Sequence, residues 1–164
     1  MKLKFQDWSD YHHQIYRIYH GIIALSLVPF FLVFLELEVT SIKEPRVSEW
    51  VSLAVLLILV PLSGWLSWDV WKGKRFEYLQ GENDSLKEKL ILFRKVEVKR
   101  FLQLEAACVL GLLGLWLTSH YLFVIVYFAV LAQFSFLRPS EDRLIRNMKL
   151  TKDERKRLHE ESFA

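Results

Sequence analysis

The chain has 164 residues, of which 52% are hydrophobic, 15% aromatic and 25% charged, with a formal net charge of +3. A soluble domain of this size needs less apolar material, and the charges gather into a few segments separated by stretches that carry almost none, which is the pattern of a bilayer protein. The single cysteine, Cys108, excludes an intramolecular disulfide and a zinc site built on cysteine.

The amino-terminal segment, residues 1–20, is too long and too mixed for a signal-peptide n-region, and no small-x-small cleavage site follows the first apolar run, so the first apolar helix is expected to be retained. Within it, "SDYHHQIYRIYHG" (Ser9 to Gly21) gathers three histidines and three tyrosines. Helical spacing puts Trp8, Tyr11, Ile15 and Ile18 on one stripe and His13, Arg17 and His20 on another, an amphipathic entry segment lying on the cytoplasmic face. His13 and His20 stand two turns apart, roughly 10 Å, and so cannot share one ion. His120 is expected at the opposite surface and His159 in the tail, so no haem-ligating pair forms and no metal or cofactor is expected. An interfacial belt is the structural reading of this cluster. The functional reading makes His13, Arg17 and His20 candidate contacts for a quinone, a lipid headgroup or a partner subunit.

Four membrane spans follow, at about residues 17–37, 50–70, 101–118 and 120–137. "GIIALSLVPFFLVFL" is uncharged and reaches about 20 residues with its interfacial flank, enough for roughly 30 Å of hydrocarbon. "VSLAVLLILVPLSGWLSW" is uncharged throughout, with Trp50, Trp65, Trp68 and Trp71 near its ends as an aromatic belt. From Phe101 to Leu137 one helix would run on the order of 55 Å, too long for a single crossing. The polar interruption "TSH", Thr118 to His120, divides it into a hairpin. Pro29 and Pro61 free backbone carbonyls at mid-membrane and read as kinks.

Twenty of the 22 lysines and arginines fall on one side of this four-span arrangement. By the positive-inside rule the expected fold is an all-α integral membrane four-helix bundle with both termini and the loop 72–100 in the cytoplasm. So strong a bias argues against an antiparallel dual-topology dimer. The expected localisation is the cytoplasmic (inner) membrane.

Glu105 is the one ionisable residue well inside a span. A carboxylate there should face the bundle, be paired, or be protonated. Folding the hairpin brings Gln133 and Ser135 to nearly the same depth, with Gln133 the first choice of partner, and Ser26, Ser63 and Ser67 could reach the same half. This set reads structurally as interhelical hydrogen bonding and functionally as a proton-linked or small-solute site. Ala107, Gly111 and Gly114 make one side of the third span small, which permits close approach by another helix.

In the loop, Ser85 with Glu88 forms a capping box, and nothing breaks the helix from Leu86 into the third span, so a rod should extend about 20 Å beyond the bilayer. Its stripes Leu86, Leu90, Phe93 and Ile91, Val98, Leu102 are more apolar than a solvated rod needs. After Pro139, Ser140 caps a helix carrying Leu144, Ile145 and Met148, and Thr151 with Glu154 forms a second capping box, making residues 138–164 a basic helical tail. Rod and tail can pack together or lie on anionic lipid. Nucleic acid is not an expected partner, because the basic residues are interleaved with acids and no binding motif is present.

No nucleotide-binding, paired-carboxylate, nucleophile-elbow or histidine-box pattern occurs, so no catalytic residue is assigned. Three functions remain in order. The first is an accessory or scaffold subunit that docks a membrane or cytoplasmic protein partner, or a second copy of itself, through its amphipathic basic face. The second is a small proton-linked transporter using Glu105, and the third a quinone- or haem-associated subunit using His20.

Overall fold

A computed structural model describes residues 7–39, 45–71 and 86–160, with Trp71 and His159 described by backbone alone. The proposed Ser85 cap and residues 72–85 of the basic loop lie outside the described residues. Those described form six helices and no strand: α1 Trp8–Val39, α2 Glu49–Trp71, α3 Leu86–Thr118, α4 Leu122–Phe136, α5 Glu141–Met148 and α6 Lys152–Glu160.

Helix α1 starts where Asp7 turns its carboxylate back to accept from the Asp10 backbone N–H at 2.8 Å, satisfying one of the donors a helix start leaves open. It then runs unbroken for 32 residues, about 48 Å, through the histidine and tyrosine cluster and past Pro29. Residues 8–20 are therefore the opening turns of a continuous helix.

Helix α3 is likewise one rod of 33 residues, as its lack of breakers predicts. It stops at the expected "TSH" turn without glycine or proline. Ser119 takes a left-handed conformation (φ 54°), its N–H donates to Leu115 O at 2.8 Å, and Thr118 Oγ1 donates to Gly114 O at 2.7 Å. The carbonyls left over at the helix end thus find partners.

The two tail helices start as their sequences specify. Ser140 accepts from the Arg143 N–H at 3.3 Å to open α5. Thr151 and Glu154 close a reciprocal capping box before α6, the Thr151 N–H reaching Glu154 Oε2 at 2.8 Å and the Glu154 N–H reaching Thr151 Oγ1 at 3.3 Å.

Contacts divide the chain into two units. One comprises Met1–His20, Gly73–Arg100 and Arg138–Ala164; the other comprises Gly21–Lys72 and Phe101–Leu137. The first unit has a conventional interior, in which Tyr11, Ile15, Leu90, Phe93, Val96, Leu144, Met148, Leu150 and Leu158 pack together. Among the described residues, none of its large apolar side chains is exposed. The rod stripe Leu90 and Phe93 and the tail residues Leu144 and Met148 are thus covered by each other. Tyr11 also donates to Leu90 O at 3.0 Å, which gives its buried phenol an acceptor in the core.

The second unit differs at its surface. Every exposed large hydrophobic side chain described belongs to it, including Leu25, Leu32, Trp50, Leu57, Ile58, Trp65, Ile125 and Phe136. Its buried positions include Ser26, Ser63, Ser67 and Glu105. An apolar outside, with a few polar side chains turned into a mainly apolar interior, is the distribution that hydrocarbon solvent selects. Three helices, α1, α2 and α3, are long and apolar enough to cross a membrane. The count rises to four if α4 and α5 form one bent span; α4 alone, at 15 residues, is about 22 Å long, shorter than the fourth crossing expected over 120–137.

Candidate functional site

The bundle unit closes around residues 101–118 of α3, whose buried face is small or apolar except at Glu105 and Thr118. Phe101, Leu104, Ala107, Cys108 and Leu115 are buried along it. At Gly111 an added Cβ would stand 3.7 Å from Tyr127 Cβ, ordinary contact, whereas at Gly114 it would fall 2.2 Å from the Phe123 ring. At Gly111 and Gly114 the small stripe therefore meets a helix of the same chain, α4.

Glu105 is 5% exposed, and its Oε2 accepts from Ser26 Oγ of α1 at 3.0 Å. Tyr127 of α4 extends the chain of hydrogen bonds, its hydroxyl donating to Ser26 Oγ at 3.4 Å. Phe30, one turn beyond Ser26 on the same face of α1, stacks flat on Tyr127 with ring centroids 3.9 Å apart and planes 6° from parallel. This stack holds the rotation of α4 at which the phenol faces Ser26.

The expected pairing of Glu105 with Gln133 is corrected by this geometry. Sequence depth brought Gln133 level with Glu105, but helix rotation turns its carboxamide oxygen elsewhere and puts Ser26 in front of the carboxylate. Ser135 is corrected as well: it lies exposed on the outer side of α4 and joins no network. Ser63 is buried against α3 and donates to Ala107 O at 3.4 Å. Asp69, towards the end of α2, accepts from Gln103 Nε2 at 3.1 Å.

Ser67 and Gln133 face a different space. They line a cavity of about 360 Å³ between α2 and α4, together with Val60, Gly64, Trp68, Val126, Ala129 and Val130. Ser67 Oγ and Gln133 Oε1 are both buried there without a protein hydrogen bond.

His13, Arg17 and His20 lie exposed along one stripe of α1, as their spacing predicts. His20 makes an edge contact with Tyr19, ring centroids 5.1 Å apart. Among the described residues no three His, Cys, Asp or Glu side chains are grouped closely enough to hold a metal ion.

The first unit holds a charged site that the sequence reading passed over. Glu97 is wholly buried, and its Oε1 lies 3.3 Å from Arg100 Nη1 and 3.3 Å from Arg143 Nη2. Burial pushes the Glu97 carboxyl above the usual carboxylate range against the pull of Arg143 and Arg100. The same burial lowers Arg143 against the pull of Glu97. The available signal was the buried stripe Leu90, Phe93, Glu97, Arg100, Leu104, which keeps helical spacing straight through two charges.

Compared with known proteins, the chain matches no family model, no curated protein and no solved structure.

Proposed function

We propose that this chain is an accessory or scaffold subunit of a cytoplasmic-membrane assembly, with both termini in the cytoplasm and a basic cytoplasmic face that docks a partner. The observation that carries this reading is the first unit's self-contained interior. Because Leu90, Phe93, Leu144 and Met148 are already covered by one another, the outward chemistry of the tail is charged, with the exposed Arg146, Lys149, Lys152, Arg155 and Lys156 outnumbering the exposed Asp142, Asp153 and Glu160. Such a surface suits an acidic protein partner or anionic lipid, where each basic residue near the surface contributes about 1 kcal/mol.

The decisive experiment is purification in mild detergent followed by identification of stoichiometric companions. A companion lost when Lys152, Arg155 and Lys156 are changed together to Glu supports the reading. A solitary, monodisperse product overturns it.

The chain Tyr127, Ser26, Glu105 favours a second reading, a small proton-linked transporter. A buried membrane carboxylate linked to hydroxyls on two other helices is the kind of group that carries a proton. Proton flux in vesicles that is unchanged by Glu105→Gln removes that reading.

A further inference from the structure

The cavity between α2 and α4 has a composition that selects a ligand. Val60, Val126, Ala129 and Val130 give it apolar walls, and Gly64 leaves it open, since an added Cβ there would meet nothing within 4 Å. Two polar atoms interrupt these walls. Ser67 is 5% exposed and its Oγ has no protein partner; Gln133 Oε1 is buried and equally unpartnered. A buried polar atom left in this state costs about 1–3 kcal/mol, so two beside one cavity call for a guest.

The chemistry of the two atoms restricts what the guest can be. An amide oxygen only accepts, so the guest must donate a hydrogen bond to Gln133. A serine hydroxyl both donates and accepts. One alcohol group satisfies both atoms, donating to Gln133 Oε1 and accepting from Ser67 Oγ. No charged side chain lines the cavity, so an ionised headgroup would enter an apolar site uncompensated. A volume of about 360 Å³ is some ten times that of one water and within the range of small-molecule sites.

We propose that this cavity binds a neutral, hydroxyl-bearing amphiphile dissolved in the bilayer, with the alcohol held between Ser67 and Gln133 and the apolar chain lying along Val60, Gly64 and Val126. The site is separate from Glu105 and from the basic surface, so it stands whether or not the chain docks a partner.

The test is photolabelling of the full chain in phosphatidylcholine vesicles with a diazirine-bearing oleyl alcohol and, in parallel, the methyl ether of the same probe. In the native chain the alcohol should label residues 60–68 and 126–133 more than the ether, by on the order of fivefold, the worth of one hydrogen bond. Unlabelled oleyl alcohol should compete and methyl oleate should not. Gln133→Leu keeps the size of the side chain and removes the acceptor, so alcohol and ether should then label alike; Ser67→Ala should reduce the preference in the same direction. Equal labelling of the native chain by both probes overturns the proposal, as does labelling spread evenly over the lipid-facing helices. A cross-linked dimer joined through α2 and α4 also overturns it, because a second copy would then fill the cavity.

Discussion

Arg143 of α5 sets its Nη2 3.3 Å from Oε1 of Glu97, an α3 carboxylate that is wholly buried. The contact ties the tail to the rod within one unit, and it does so at a position where an apolar pair would also pack. Breaking a buried pair from one side costs about 3–5 kcal/mol, because the remaining charge stays buried. Glu97→Leu takes the shared carboxylate from both Arg100 and Arg143, whereas Arg143→Leu leaves Glu97 with Arg100. Thermal unfolding in detergent should therefore show Glu97→Leu as the more damaging of the two. The reverse order would mean that the arginines escape to water and that the cluster does not hold the tail.

Gly114 and Gly111 separate close approach from mere smallness. An added methyl at Gly114 meets the Phe123 ring at 2.2 Å and must displace it, at a cost of about 1–3 kcal/mol. At Gly111 the nearest atom is 3.7 Å away, so Gly111→Ala should be neutral or slightly stabilising through its helix preference. Denaturation of the two variants in mixed micelles checks this, and equal losses would place the α3 and α4 contact elsewhere.

Glu154 gives the tail a pH dependence. Partial burial pushes its carboxyl up, but hydrogen bonds from Lys89 and from the Thr151 N–H and hydroxyl outweigh that and hold it below the usual carboxylate range. A depressed acid stabilises the fold above its unfolded pKa, and that contribution is lost as pH falls through the folded value. A spin label at Lys156→Cys, in a Cys108→Ala background, should report α6 loosening as pH drops below about 4.5. Adding Glu154→Gln should remove most of that acid-side change; an identical curve would assign it to other groups.

Much of this architecture can be read directly from the chain. Uncharged runs announce α1, α2 and the α3 and α4 hairpin, since hydrocarbon tolerates few charges, and Ser140, Thr151 and Glu154 announce the tail helices, because short polar side chains are what a helix start needs. The partner of Glu105 was not legible, because depth along a helix is set by residue count whereas rotation about its axis is set by packing, here by Phe30 on Tyr127. Glu97 was missed for a related reason. A charge on a helix outside the membrane reads as solvated unless the apolar stripe around it is followed through, from Leu90 and Phe93 to Leu104.

The central claim is that four crossings hold both chain ends on the cytoplasmic side, although α4 has only 15 residues. Single cysteines at Asp7, Glu49 and Lys156, in a Cys108→Ala background, can be probed in intact cells with a membrane-impermeant maleimide. Glu49→Cys should react from outside, and Asp7→Cys and Lys156→Cys only after the membrane is opened. Reaction of Asp7→Cys and Lys156→Cys from opposite faces would make α4 a segment that does not cross, and would contradict the account.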